Sequence, residues 1–322
     1  MHSAIRGAAS GVGARRASTS RNVAARASGT GKTVIITGAN TGIGYESAKA
    51  LVSKDYDIVM ACRDPTRMES AKARLGNEVP SAAGKISTEL LDLASLESVR
   101  DFTKRYLDSG RQIDVLLNNA GVMAPPLMRT KDGFELQIGV NHLGHFLLTT
   151  GLSPLLMDPA RPSRVVTVSS TAHLFGRINF DDLNSEIKYQ EWVAYGQSKL
   201  ANIYFTYELA RRLPNSSACT ANTLHPGVIN TELARYLLPE DPAWWQRPLM
   251  EVMKKFTLTP EQGAQTSIYL CSSPAVEGVS GKYYDKCEPV SSSPISYDVD
   301  VAKRLWDVSM ELTAAPELAK GV

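Results

Sequence analysis

From residue 32 onward the chain alternates short apolar runs with longer amphipathic segments, and this alternation limits the fold more than any other feature. The runs at 33–37, 57–61, 85–91, 113–117, 164–169 and 218–224 are β-branched or otherwise apolar and read as strands. Helical patterns occupy 43–54, 65–75, 95–109, 133–157 and 190–213, and a last one at 298–312 closes the unit. Strands separated by helices pair in parallel through right-handed crossovers. Strands that are apolar nearly throughout suit a sheet covered on both faces. The expected fold class is therefore α/β, a single Rossmann-like doubly wound parallel sheet flanked by helices. No linker or internal repeat interrupts the pattern, so one domain is expected over 32–315, with 316–322 as a tail.

Residues 1–31 are a different kind of sequence, rich in Ala, Ser, Arg and Gly, and the first acidic residue of the chain is Glu46. An Arg- and Ser-rich, acid-free leader has the composition of an organelle transit peptide and lacks the apolar core of a secretory signal. The Ser and Ala content and the "VAARA" at 23–27 favour chloroplast over mitochondrion. A plain disordered basic tail is the alternative. The formal net charge of +2 gives no reason to expect nucleic acid as a partner. No apolar stretch approaches the ~20 residues that cross a bilayer, so no transmembrane segment is expected, although peripheral membrane contact is compatible. Cys62, Cys219, Cys271 and Cys287 are scattered without a CxxC pair, which argues against a disulfide framework and a zinc site.

The first strand runs into Thr37-Gly38-Ala39-Asn40-Thr41-Gly42-Ile43-Gly44, a TGxxxGxG turn that opens a helix. Such a turn lets backbone approach a ligand closely. It also aims free N–H groups and the positive end of the helix at an anion, usually a pyrophosphate. The position after the first strand of an alternating pattern is the context that a dinucleotide site requires.

Further motifs follow in order: "NNAG" at 118–121, "GVNHLGHF" at 139–146, "VVTVSS" at 165–170, "YGQSK" at 195–199 and "HPG" at 225–227. With the glycine turn they resemble the short-chain dehydrogenase/reductase family from residue 32 to about 307. Within it, "TGANTGIG", "ACRD", "NNAGVM", "GVNHLGHFLLT", "SKLAN", "ELARRL" and "HPGV" are closest to the retinol dehydrogenase branch and its plant and algal relatives.

Tyr195 and Lys199 stand four apart in a helical pattern, so their side chains share one face. An ammonium about 4 Å from a phenol favours the phenolate by roughly 4 kcal/mol at an effective dielectric near 20. That is about three pKa units, an upper bound because burial pushes the other way. The spacing thus predicts a phenol brought toward the neutral range. The resemblance implies that Tyr195 exchanges a proton with the substrate oxygen and that Lys199 tunes it and binds a nicotinamide ribose. It implies that Ser170, with Ser169 as the adjacent rival, orients the substrate carbonyl. It also implies that the Asn141 backbone helps hold a water beside the lysine. The implied reaction is hydride transfer between a carbonyl and an alcohol.

The second strand ends in "ACRDP", about where dinucleotide folds meet the adenosine ribose. Arg63 suits a 2′-phosphate, and Asp64 before Pro65 reads as an N-cap with its first helical residue. NADP is therefore expected rather than NAD. The cofactor-binding set expected from the resemblance comprises Gly38, Asn40, Thr41, Gly42, Ile43, Gly44, Arg63, Asp92, Asn118, Ala120, Gly121, Tyr195, Lys199, Pro226, Gly227, Val228 and Thr231. Asp92 also fits a capping role. His142 and His145 are three apart without a third ligand or an HExxH pattern, so no metal is expected.

Segment 228–258 follows the implied nicotinamide loop and carries Leu237, Leu238, Trp244, Trp245, Leu249, Met250, Met253 and Phe256. Read as a substrate lid, it predicts a bulky apolar carbonyl or alcohol; ordinary packing of a helical flap is the other reading. The resemblance also leaves open a nucleotide-sensing component of an organelle membrane assembly. A protochlorophyllide reductase-like activity fits less well, because those enzymes usually have cysteine where this chain has Ala201. Relatives commonly form homodimers through helices such as those within 95–109, 133–157 and 190–213.

Overall fold

The computed structural model describes residues 31–82, 84–227 and 258–320. Its strands are β1 (Thr33–Thr37), β2 (Asp57–Cys62), β3 (Ile86–Leu90), β4 (Val115–Asn118), β5 (Ser163–Val168), β6 (Cys219–Leu224), β7 (Tyr283–Asp285) and β8 (Glu288–Val290). They form one sheet in the order β3-β2-β1-β4-β5-β6-β7-β8. Every neighbouring pair is parallel except β7 with β8, which run antiparallel. The mostly parallel doubly wound sheet read from the alternation is the sheet observed. The last two strands escape the sequence pattern because three residues each are too few to show a period.

Alternation along each strand divides two cores. Val34 and Ile36 of β1, with Leu117 of β4 and Val166 of β5, pack against Leu51, Leu75 and Leu270. Those three belong to α1 (Gly42–Ser53), α2 (Pro65–Glu78) and α7 (Pro260–Ser272). Ile35, Leu116 and Val165 face the other way, onto Phe102, Phe146, Phe205 and Trp306. These come from α3 (Leu96–Asp108), α4 (Gly144–Gly151), α6 (Glu191–Arg212) and α8 (Val299–Thr313). Each fully buried Leu, Ile or Phe contributes roughly 1.5–3 kcal/mol, so two-sided burial holds the sheet rigid beneath its carboxyl edge.

Helix starts follow local chemistry. Asp64 caps α2 by accepting the Arg67 N–H at 3.0 Å, with Pro65 in the first turn, as the Asp-Pro pair predicted. The sequence pattern leaves α7 unassigned, although "TPEQ" carries its signal: Thr259 and Gln262 form a reciprocal capping box with Pro260 in the first turn. One helix reading needs correction. The expected continuous helix over 133–157 is instead a π-helical segment at Ile138–Leu143, then α4, then a break at Leu152 before the short α5 (Ser153–Leu156). A 3.6-residue period cannot register a wider turn inside an apolar stretch. The leader through residue 30, and all of segment 228–258 but its last residue, lie outside the described residues. Val228, Thr231 and the lid aromatics fall there.

Two helix glycines make the packing testable. A Cβ on Gly144 would sit 2.7 Å from the Leu93 carbonyl oxygen, whereas one on Gly76 of α2 would meet nothing within 4 Å. Gly144→Ala is expected to cost about 1–3 kcal/mol through this clash. Gly76→Ala should instead stabilise by about 0.5–1 kcal/mol through helix propensity. Urea denaturation of both variants measures the opposite signs; two stabilised proteins would show that α4 is not packed this tightly.

Candidate active site

Strand order reverses between β1 and β4, because β1 leads to α1 on one face and β4 toward α4 on the other. Such a reversal opens a crevice outside the carboxyl ends of the strands. The motif residues gather there from six separate stretches of chain.

The glycine turn forms one wall, and its glycines have different reasons. Gly38 and Gly42 have φ of +67° and +56°, a region that disfavours side chains. Gly44 is needed for closeness: its Cβ would lie 2.5 Å from both the Gly38 oxygen and the Asn119 amide nitrogen. Gly38, Asn40, Thr41, Gly42 and Ile43 are all half-buried, so the turn borders open space. Thr41 at the N-cap of α1 makes no side-chain capping bond, and the first turn holds no acidic residue. Helix N–H groups left without a side-chain cap, on a turn bent by positive φ at Gly38 and Gly42, fit a diphosphate.

Arg63 is exposed at the end of β2, and no ion pair engages it among the described residues. Asp64 spends its carboxylate on the α2 cap. Asp92 accepts the Ala94 N–H at 3.0 Å and faces Lys131 at 3.6 Å, while Ser95 caps α3, so Asp92 holds a turn rather than the helix start. Asn118 is buried at the end of β4 and donates from Nδ2 to Thr149 Oγ1 at 3.0 Å. Ala120 donates its N–H to Thr37 Oγ1 at 2.9 Å. A Cβ on Gly121 would lie 3.1 Å from Asn141 Oδ1 and 3.5 Å from Lys199 Nζ, so this glycine lets the turn approach the lysine. Pro226 and Gly227 are half-buried after β6, and Gly227 has φ of +84°.

Tyr195 and Lys199 share one face of α6 and are only 4 % and 3 % exposed. Lys199 Nζ lies 5.7 Å from the Tyr195 ring centroid and donates to the Val168 carbonyl at 3.2 Å. The structure separates the two serine candidates. Ser169 is buried and donates its hydroxyl to the Lys199 backbone oxygen at 2.7 Å. Ser170 is half-buried and is the serine whose hydroxyl bears on the Tyr195 phenol, opposing the rise that burial causes; the serine oxygen also accepts the Ala172 N–H at 3.2 Å. Its backbone oxygen is held at 2.7 Å by His173 Nδ1, whose Nε2 accepts the Ser293 N–H at 3.1 Å. Asn141, fully buried in the π-helical segment, accepts the Val122 N–H at 2.8 Å and donates to Val122 O at 3.0 Å and Ser198 Oγ at 2.9 Å.

The electrostatics correct the expected tuning of the phenol. Burial pushes Tyr195 up to about 12, with the Ser170 hydrogen bond pulling against it, rather than down toward neutrality. The reason is desolvation: neither ion of the pair is well solvated, and burial brings Lys199 itself down to about 8.

Thr37, Asn119 and Ser198 lie inside the sequence motifs but carry no expected role there, and Trp192, outside them, joins the site without any signal in the spacing. Trp192 is 43 % exposed, with its ring edge-on to Tyr195 at a centroid distance of 6.0 Å. His142 and His145 turn apart, one to Ser309 and one to Thr37. Among the described residues no group of three His, Cys, Asp or Glu could hold a metal ion. No helix among them is long and apolar enough to cross a membrane.

Residues 32–242 match the family model described as short chain dehydrogenase. Human retinol dehydrogenase 14 is 48% identical over 292 residues, covering 87% of this chain and 85% of that protein. Human retinol dehydrogenase 13 is 44% identical over 283 residues, covering 88% of this chain and 84% of that one. A crystal structure of an uncharacterized protein from Mycobacterium paratuberculosis superposes with a TM-score of 0.70 at 38% identity, covering 89% of this chain and 95% of that one.

The buried lysine should leave a mark on stability. Its folded pKa of about 8 lies below the ordinary lysine value of 10.5, so the unfolded chain holds the proton more tightly between them. Stability contributed by this group therefore rises as pH climbs from about 8 to 10.5. Lys199→Met should be more stable than the parent at pH 7, by up to about 3 kcal/mol. The advantage should shrink toward pH 10. Urea denaturation at both pH values reads it; an equal difference at each would place the ammonium in solvent.

Proposed function

The chain belongs to the short-chain dehydrogenase/reductase family and is an oxidoreductase acting on CH–OH groups, and on that premise we propose that it interconverts a bulky apolar carbonyl and its alcohol with NADP. The observation that carries this reading is the buried pair of Tyr195 and Lys199 on one face of α6, with half-buried Ser170 after β5 beside the phenol, at the carboxyl edge of the sheet where α1 starts without a side-chain cap.

When bound, the nicotinamide nucleotide supplies hydride to the substrate carbon or takes it back. The turn over Gly38–Gly44 and the free start of α1 would hold its diphosphate. Arg63 would pair with a 2′-phosphate, since Asp64 is spent on the α2 cap. Lys199 would bind the ribose and Pro226 and Gly227 would serve the nicotinamide, a role that the family pattern extends to Val228 and Thr231 outside the described residues. Ser170 donates a hydrogen bond to the substrate oxygen, which orients it and steadies the charge that develops. Tyr195 passes its proton to that oxygen, so hydride and proton together complete the alcohol. Burial keeps the phenol protonated at neutral pH, so it carries the proton that reduction consumes and that oxidation returns.

The apolar substrate is supported by Trp192 beside the tyrosine and by relatives named as retinol dehydrogenases. Residues 1–31 are proposed to direct import into an organelle, with chloroplast favoured over mitochondrion; a fusion of this leader to a fluorescent protein that stays in the cytosol would refute it.

The test is NADPH consumption with a panel of apolar aldehydes and ketones, using protein lacking residues 1–30. Tyr195→Phe should lower kcat by roughly 10²–10⁴-fold while NADPH binding persists. Arg63→Ala should weaken NADPH by about tenfold or more, the loss of a charge-assisted hydrogen bond, and leave NADH nearly unchanged. Reduction that continues at the parent rate in Tyr195→Phe would overturn the catalytic assignment.

A further inference from the structure

The hydroxyl of Thr37, at the end of β1, stands at the centre of four contacts. It receives the backbone N–H groups of Asn119 and Ala120, each at 2.9 Å. It also lies 2.9 Å from His145 Nε2 and 3.4 Å from the Leu117 carbonyl. A hydroxyl oxygen has two lone pairs and one hydrogen. The two backbone donors occupy the lone pairs, so the hydrogen must leave toward an acceptor, and the imidazole is much the nearer one. Nε2 therefore carries no proton. Neutral His145 then bears its hydrogen on Nδ1, which donates to the Asn141 carbonyl oxygen at 3.1 Å. Burial favours this neutral form, bringing the imidazole down to about 4.

The bonds run in one direction: loop N–H to Thr37, Thr37 to His145, and His145 to the Asn141 carbonyl. At one end lies the turn at residues 119–121 that borders the glycine wall. At the other lies Asn141, which flanks Gly121 together with Lys199. Asn141 also reaches Ser198, whose hydroxyl donates to the Tyr195 backbone oxygen at 2.9 Å.

We propose that His145, as its Nδ1–H tautomer, is a positioning residue that couples the nucleotide-binding turn to the Asn141–Lys199–Tyr195 group. This coupling rests on the reading of the crevice as a nicotinamide-nucleotide site; the tautomer does not. The imidazole links Thr37 to the Asn141 backbone, accepting on one edge and donating on the other, in parallel with the Asn141 side chain, which meets the turn after β4 at Val122.

Two substitutions divide those edges. An asparagine amide at 145 reaches the position of Nδ1 but not Thr37, and a glutamine reaches the position of Nε2 but not the carbonyl four residues back. His145→Asn should weaken NADPH binding, read by fluorescence titration, about fivefold to tenfold, the loss of one hydrogen bond, with kcat within about twofold. His145→Gln should show the reverse, with binding kept and kcat lowered about fivefold to tenfold. Changes that run in parallel in both variants and follow their loss of Tm would overturn the coupling and leave a purely structural histidine. Should both variants fail to fold, ¹⁵N-histidine NMR of the unmodified chain at pH 7 decides. An unprotonated Nε2 and protonated Nδ1 at His145 support the inference, and an Nε2–H tautomer overturns it whatever the chain catalyses. A parent protein that binds neither NADPH nor NADH would overturn the nucleotide reading and the coupling with it, while the tautomer result would still hold.

Discussion

The site depends on how two strand ends are held where the strand order reverses. At β1 and β4 the chain departs to opposite faces of the sheet, and the ladder that pairs the two strands ends at Ile36 and Leu117, which leaves a gap just beyond it. Thr37 closes that gap: its hydroxyl takes two N–H groups from the turn after β4, and its carbonyl receives the Asn119 side chain at 2.8 Å. Three hydrogen bonds in a buried setting contribute modestly to stability, about 0.5–1.5 kcal/mol each. Their geometric effect is larger. They fix the spacing between the glycine turn and Gly121, and so between that turn and Lys199.

Function is set against stability in the same place. A lysine and a phenol almost wholly removed from water are poor stabilisers, and the pKa directions of both report that strain: Tyr195 rises and Lys199 falls. Removing water also strengthens every dipole that points into the crevice. The Val168 carbonyl that receives Lys199 also receives Asn202 Nδ2 at 3.1 Å, so one strand-end oxygen anchors two turns of α6. The polar cost is thus localised on a helix that the apolar faces of the sheet, α4 and α8 already hold.

Much of this was legible in the sequence because it is local. The alternation of apolar runs reports two-sided burial. The three glycines of the turn report positive φ and close approach, and Asp64-Pro65 reports a helix start, since each depends only on its neighbours. What was not legible depends on distance along the chain. The His145–Thr37 bond joins residues 108 positions apart, and no spacing rule reaches that far. The choice of Ser170 over Ser169 depended on which hydroxyl the backbone of α6 consumes. The sign of the Tyr195 shift is not legible in the spacing, because a pair energy follows from spacing whereas desolvation depends on both groups being buried.

The π-helical segment illustrates how such departures serve the site. Glycines stand near both ends: a Cβ on Gly139 would collide with the Thr130 methyl group, and one on Gly144 with the Leu93 carbonyl. The segment is therefore pressed against its surroundings on both sides, and the wider turn falls between, at Asn141. A regular helix keeps its carbonyls for the residue four ahead. A π turn loosens that ladder, and here the Asn141 carbonyl meets an imidazole edge as well. The Asn141 side chain is meanwhile free to bridge the turn after β4 to α6. An ordinary helix with alanine at 139 and 144 would have better local propensity, but it could neither approach Leu93 and Thr130 so closely nor carry Asn141 into the seam where three elements meet.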